Sequence, residues 1–289
     1  MREYITQEMI IARTIREVAL FTSNIRKQGM TIGFVPTMGA LHKGHIVLVE
    51  QSRRENDFTV CSIFVNPIQF NNSDDLSKYP RTEEADLELL LRTQCDLVFI
   101  PTVSEMYPVP VVEVFDFGNL DKVMEGAFRP GHFNGVAVVV KKLLEIVAPH
   151  RAYFGEKDFQ QLTIIKTLVR MLKLPVRIVG CPTVRESTGL AMSSRNVRLD
   201  DKNRMNAAII NKTLLAATEK VSDLTPQELT EWVVTQLNKC EGMEVEYFCL
   251  VDSDTLQEVA EWVPGREVRG CVAVYLGGVR LIDNMLFFY

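Results

Sequence analysis

The stretch MTIGFVPTMGALHKGH, Met30 to His45, decides the fold. Its first part is an apolar run with β-branched and aromatic residues, the composition of a buried parallel strand. Pro36, Thr37, Met38 and Gly39 then turn the chain, and a helix begins near Gly44. Strand, tight turn and helix in immediate succession make one repeat of an α/β sheet. The turn also carries two of the chain's four histidines, His42 and His45.

Working outward, the same kind of run recurs in DFTVCSIFVNP (57–67), DLVFIP (96–101) and LPVRIVGCP (174–182). Helical periodicity lies between these runs, over Ile46–Glu55, Glu83–Thr93, Val136–Ile146 and Asp158–Leu172. Strand and helix alternate in this way through the first 180 or so residues, which predicts a parallel sheet flanked by helices. The pattern then changes. Helices at about 201–220 and 226–239 precede the strand-like runs VEYFCLVD (245–252) and CVAVYLGGVRLID (271–283). The second of these helices starts cleanly, with Thr225 as N-cap, Pro226 at the first helical position and Glu228 completing a capping box. We therefore expect a Rossmann-like α/β domain over 1–184 and a smaller α+β domain over 185–289.

Bulk composition narrows the function. At 289 residues, 47% hydrophobic and 24% charged, the chain is an ordinary globular one. A net charge of -5 gives no general attraction to nucleic acid or to an anionic membrane, and no apolar run approaches the ~20 residues of a membrane helix. The six cysteines are scattered with no CxxC pair, and most lie in strand-like runs, as expected of free core thiols in a cytoplasmic protein.

Four polar clusters stand where a strand ends, the position at which open α/β sheets bind ligands. In the first, His42 and His45 lie at or just before a helix N-terminus, where free N–H groups and the dipole favour an anion. Zinc would need a third protein ligand, and no HExxH, cysteine pair or nearby carboxylate offers one. Helix capping and phosphate or transition-state binding remain as readings. The second, FVNPIQF (64–70), places Asn66 and Gln69 among aromatics, which suits either an Asn-Pro turn or the orientation of a hydroxyl or carboxylate. The third, YFGEKDFQQL (153–162), sets Lys157 and Asp158 in a turn before a helix, either solvated or facing a phosphate. The fourth, MSSRN (192–196), is a serine cap cluster or a polyphosphate clamp. A further loop, FRPGHFNGVAVVV (128–140), reads equally as a surface tip or a substrate lid.

Together PTMGALHKGH, FVNPIQF, YPRT (79–82), RPGHFNGV (129–136), GEKDFQQL and MSSRN closely resemble the pantothenate synthetase family, the pantoate and β-alanine ligases, in the family's own order. A weaker echo lies in GGVRLIDN (277–284). The first motif is a version of the HxGH signature of a wider nucleotidylyl-transferase superfamily, and MSSRN resembles its KMSKS-like signature.

The resemblance implies a reaction: pantoate's carboxylate attacks ATP to give pantoyl adenylate and pyrophosphate, and the amine of β-alanine then displaces AMP. It also implies roles. Met38, Gly39, Ala40, Leu41, His42, Lys43, Gly44 and His45 would line the ATP site, with His45 and His42 acting on the phosphates. Gly155, Glu156, Lys157 and Asp158, the backbone of Val184, and Met192, Ser193, Ser194 and Arg195 would supply the rest of it. Lys157 and Arg195 would complete the catalytic set, Gln69 would serve pantoate and β-alanine, and Gln161 pantoate. Magnesium would arrive with ATP, with Asp86 as a candidate ligand. A homodimer formed through the N-terminal domain is implied, with the C-terminal domain closing over the ATP site. Two departures stand out: Phe159 where the family commonly has tyrosine, and Thr188 where aspartate is usual. The competing readings are another HxGH enzyme, such as a cytidylyltransferase, and a non-catalytic nucleotide sensor or RNA-binding relative.

Overall fold

The computed structural model describes residues 9–289. A six-stranded sheet is built from β1 (Ile10–Ala12), β2 (Ile32–Thr37), β3 (Phe58–Ile63), β4 (Leu97–Phe99), β5 (Arg151–Gly155) and β6 (Arg177–Cys181). Its order is β1-β4-β3-β2-β5-β6, and every pairing is parallel. This is the Rossmann-like α/β sheet expected from the alternating runs. All six positions of β3 are buried, which explains why it reads as a continuous apolar run rather than an alternating one. The order reverses between β2 and β5, and such a switch point opens a crevice beyond the strands' carboxyl ends. The end of β2 leads directly into Met38–His45.

The expected helices are present with shifted bounds: Lys43–Glu55, Glu83–Arg92, His132–Val147 and Phe159–Met171. Among the elements that lay outside the sequence reading are a strand and a long helix near the start of the described residues. The three-residue strand β1 is recognisable only through its pairing with β4. The helix Ile15–Lys27 opens on a capping box, Thr14 with Glu17, a signal that was present in the sequence.

The chain divides into two compact units. The first comprises the residues up to Asp116 with 131–155 and 164–181; the second comprises 117–130, 156–163 and 182–289. One buried cluster of the first unit joins Val35, Val49, Cys61, Val98 and Tyr153. The second unit holds the antiparallel sheet β7 (Met243–Asp252), β8 (Val268–Leu276) and β9 (Val279–Phe287). The run read as CVAVYLGGVRLID is in fact a hairpin, divided by the two-residue turn Gly277–Gly278. Helices Ala208–Thr218 and Pro226–Asn238 bury Leu214, Leu229 and Val233 in one core with Val272, Val274 and Phe287. The second of these helices carries the expected Thr225 and Glu228 capping box. Among the described residues no helix is long and apolar enough to cross a membrane.

Candidate functional site

In the first unit the opening stretch forms a tightly bonded turn. Thr37 Oγ1 donates to the carbonyl of Ser62 at 2.7 Å and accepts the Gly39 N–H at 3.2 Å. Gly39 and Ala40 are both left-handed, with φ of 80° and 49°. Successive residues in this region aim their N–H groups at a common point, forming a small anion-binding concavity. Asp86 occupies it: its Oδ2 accepts from Ala40 at 2.9 Å, and its Oδ1 accepts from Leu41 at 2.7 Å and from the Thr82 hydroxyl at 3.1 Å. Asp86 is 1% exposed.

The chain then enters the helix Lys43–Glu55 through a capping box made of two histidines. His42 is the N-cap, and its Nδ1 accepts the Gly44 N–H at 3.1 Å. His45 Nδ1 reaches back to accept the His42 N–H at 3.3 Å. The rings lie 4.0 Å apart, tilted by 37°. An Nδ1 that accepts a backbone N–H carries no proton, so each neutral ring holds its hydrogen at Nε2. The capping reading and the phosphate reading are therefore compatible: one nitrogen caps, and the other is a donor.

Gln69 sits in a one-turn 3-10 helix, Pro67–Gln69, and is buried. Its Oε1 accepts from Asn66 Nδ2 at 3.0 Å, and its Nε2 donates to Met38 Sδ at 3.2 Å. Asn66 Nδ2 also donates to the Gly135 carbonyl at 3.1 Å, and Asn66 Oδ1 accepts from the Tyr107 hydroxyl at 2.9 Å. Burial pushes the Tyr107 phenol up, so it stays a donor throughout the neutral range. His132 Nδ1 lies 2.8 Å from the Gln69 carbonyl, a geometry in which the nitrogen donates. The turn is therefore braced from the RPGHFNGV segment, and Gly135 lets the two backbones meet. A Cβ there would fall 2.4 Å from the Ile68 carbonyl oxygen and 2.7 Å from the Gln69 Cα.

In the second unit, Glu156–Asp158 form a 3-10 turn. Asn284, buried on β9, donates from Nδ2 to the carbonyls of Glu156 at 2.9 Å and Lys157 at 2.8 Å, and Arg269 donates to its Oδ1 at 2.8 Å. The Arg269 guanidinium also covers the Phe159 ring at 4.1 Å, placing a cation on its face. Lys157 Nζ lies 3.5 Å from Asp158 Oδ1. Gln161 is half-buried on the following helix. In the MSSRN loop, Ser193 caps a 3-10 helix, Ser194–Arg198, accepting the Arg195 N–H at 3.2 Å. The Met192 N–H bonds the Val184 carbonyl at 2.9 Å, and buried Asn196 ties Glu186 to the Ala191 carbonyl. Asp283 grips Arg185 bidentately at 2.6 and 3.0 Å.

The 117–130 segment belongs to the same unit. Buried Glu125 accepts two bonds from Arg280, at 2.8 and 2.6 Å, and one from the Tyr247 hydroxyl at 2.9 Å, with Arg129 at 3.5 Å. Burial works against the Glu125 carboxylate, but the Arg280 bonds and charge outweigh it and hold its pKa below the usual value. Burial lowers the Arg129 pKa, and the neighbouring charges of Arg195 and Arg280 add to that effect.

In the first unit Met38 thus bonds Gln69, and Ala40 and Leu41 bond Asp86; the second unit contains Glu156 to Asp158, Gln161, Val184 and Met192 to Arg195. Sequence reasoning missed the residues that hold these groups: Asn66 as a brace, Asp283, Asn284, Arg269 and the Glu125–Arg280 pair. The polar residues Arg280, Asp283 and Asn284 within the strand Val279–Phe287 were the available signal.

A family model described as pantoate-beta-alanine ligase matches residues 10–286. A pantothenate synthetase of Azobacteroides pseudotrichonymphae is 53% identical over 280 residues, covering 96% of this chain and all of that one. The solved pantothenate synthetase of Thermus thermophilus superposes with a TM-score of 0.90 at 43% identity, over 97% of this chain and 100% of that one. The pantoate-beta-alanine ligase of Francisella tularensis, solved complexed with Beta-gamma ATP and Beta-alanine, has a TM-score of 0.80 at 38% identity, over 96% and 97% of the two chains.

Proposed function

The chain belongs to the pantoate-beta-alanine ligase family, and from that premise we propose that it joins (R)-pantoate to β-alanine through a pantoyl adenylate. A pantoate carboxylate oxygen attacks the α-phosphorus of ATP, and the bond to the bridging oxygen breaks as pyrophosphate leaves. The β-alanine amine then attacks the acyl carbon, giving the amide, AMP and a proton. Adenylation is needed because a free carboxylate is a poor acyl donor.

The observation that carries the reading is the two-histidine cap at the end of β2. With both Nδ1 atoms accepting backbone N–H groups, the donors of His42 and His45 are their Nε2–H groups. They suit the charge that develops on the departing pyrophosphate, where each preorganised donor is worth roughly 10²–10³ in rate. Lys157, Ser193, Ser194 and Arg195 serve the same nucleotide in this reading, with backbone contact from Val184 and from the segments Met38–His45 and Gly155–Asp158. Gln69, held by Asn66 and Met38, keeps a second amide N–H to donate to pantoate. Gln161 is its second pantoate contact.

Magnesium, if carried in with ATP, would screen the charge of the phosphates. The residues do not fit a protein-held ion: the Asp86 carboxylate already serves three donors, and among the described residues no three His, Cys, Asp or Glu side chains converge. A homodimer and a cytoplasmic location complete the proposal, both on family resemblance.

The test is AMP formation from ATP and pantoate, with and without β-alanine. β-Alanine-dependent AMP in step with an amide product supports the ligase. Transfer of the nucleotide onto an alcohol, with no amide, would instead make the chain a nucleotidyltransferase.

A further inference from the structure

We propose that Asp86 is a positioning residue for the histidine pair, acting as a built-in anion in the backbone concavity at the end of β2; the proposal rests on the ligase reading for its kinetic consequence and on the geometry alone for its structural one. Three observations carry it. The carboxylate is 1% exposed, yet its hydrogen bonds run to the loop and its support: Ala40 N–H, Leu41 N–H and the Thr82 hydroxyl. The loop it holds is left-handed at both Gly39 and Ala40, a conformation that alanine adopts only when its surroundings impose it. A Cβ on Gly39 would lie 3.0 Å from Asp86 Oδ2 and 3.0 Å from Ile63 Cγ2, so the loop is built around the carboxylate. Leu41 immediately precedes the His42 N-cap, so the two bonds to Asp86 set where the helix starts and where both rings stand.

The consequence differs from the family-derived expectation for this residue. Two consecutive N–H groups at a left-handed turn before a helix would ordinarily be offered to a phosphate. Here they are closed by a carboxylate of the chain itself. The phosphates are then met by the histidine Nε2–H groups rather than by the Ala40 and Leu41 amides. Asp86 acts through the histidines, and a displacement of about 1 Å at a reacting group is enough to cost about 100-fold in rate.

The experiment uses Asp86→Ala and Asp86→Asn in the full chain. In ¹⁵N-histidine spectra the wild type shows both rings protonated at Nε2 with Nδ1 as acceptor. Asp86→Ala mixes the tautomers, and formate, which fits the vacated concavity, restores the pattern. Asp86→Asn keeps one acceptor and covers the case in which the alanine variant does not fold. In the adenylation half-reaction, kcat falls about 100-fold, the ATP KM moves less than about threefold, the magnesium dependence keeps its midpoint, and formate recovers part of the rate. A shifted magnesium midpoint makes Asp86 a metal ligand and overturns the proposal. Unchanged histidine spectra in either variant overturn it as well, whatever the activity. Wild-type protein that makes no adenylate removes the ligase reading and leaves the spectra to decide the role of Asp86.

Discussion

Replacing Gly135 with alanine separates local propensity from tertiary packing, because the two give opposite signs. Gly135 lies inside the helix His132–Val147, where Gly→Ala ordinarily gains about 1 kcal/mol. In the fold the new methyl would sit 2.4 Å from the Ile68 carbonyl oxygen and 2.7 Å from the Gln69 Cα, against an ordinary contact of 3.4 Å or more. Both neighbours are backbone, which cannot swing aside. Overpacking of this kind costs about 1–3 kcal/mol. Pushing the helix away also strains the bond from buried Asn66 to the Gly135 carbonyl, and an orphaned buried amide costs about 1–3 kcal/mol more. After subtracting the propensity gain, the net loss is about 1–5 kcal/mol, a fall of roughly 2 °C or more in the first unit's Tm. Both tryptophans, Trp232 and Trp262, are in the second unit, so their fluorescence would miss this change. Hydrogen exchange along 132–147 and calorimetry would detect it. Because the displaced turn carries Gln69, the pantoate KM rises about tenfold or more while ATP binding is unchanged. A variant that melts at or above the wild-type temperature would refute the packing argument.

His45→Ala removes a transition-state donor, so adenylation kcat falls about 10²–10³-fold with ATP affinity nearly unchanged in rapid-quench assays; near-normal turnover excludes the role. Asn284→Ala releases the Glu156 and Lys157 carbonyls, so its adenylation defect should resemble that of Lys157→Ala, and a defect confined to the β-alanine step contradicts it. Glu125 has a depressed folded-state pKa, so its contribution is present above the unfolded value near 4.5 and is lost as pH falls through the folded value. Acid unfolding followed by tryptophan fluorescence should therefore become less steep in Glu125→Gln, which also costs about 1.5–3 kcal/mol at neutral pH, because it removes the carboxylate that holds Arg280 bidentately while Arg280 keeps Glu246. Burial pushes the thiols of Cys95, Cys249 and Cys271 up to about 12, so at pH 8 they should resist a disulfide reagent until the chain unfolds.

Sequence alone determined the elements whose signals are local. The buried strands β2, β3 and β4 were legible because parallel strands covered on both faces read as unbroken apolar runs. The Pro226–Asn238 helix was legible because its cap, first-turn proline and capping box occupy neighbouring positions. The two histidines were legible as a pair beside a helix start, and the order of the motifs pointed to the family. The tertiary structure decided what depends on partners distant in sequence. β1 is a strand because β4 lies beside it. Segments 117–130 and 156–163 join the second unit because Gln160 bonds the Leu120 and Val123 carbonyls and Asn284 holds Glu156 and Lys157. Asp86 bonds the Ala40 and Leu41 amides, 46 and 45 residues away, a pairing that no local pattern contains. A residue's type states which bonds it is able to make, whereas its burial and the groups placed within about 3 Å determine which of them it makes.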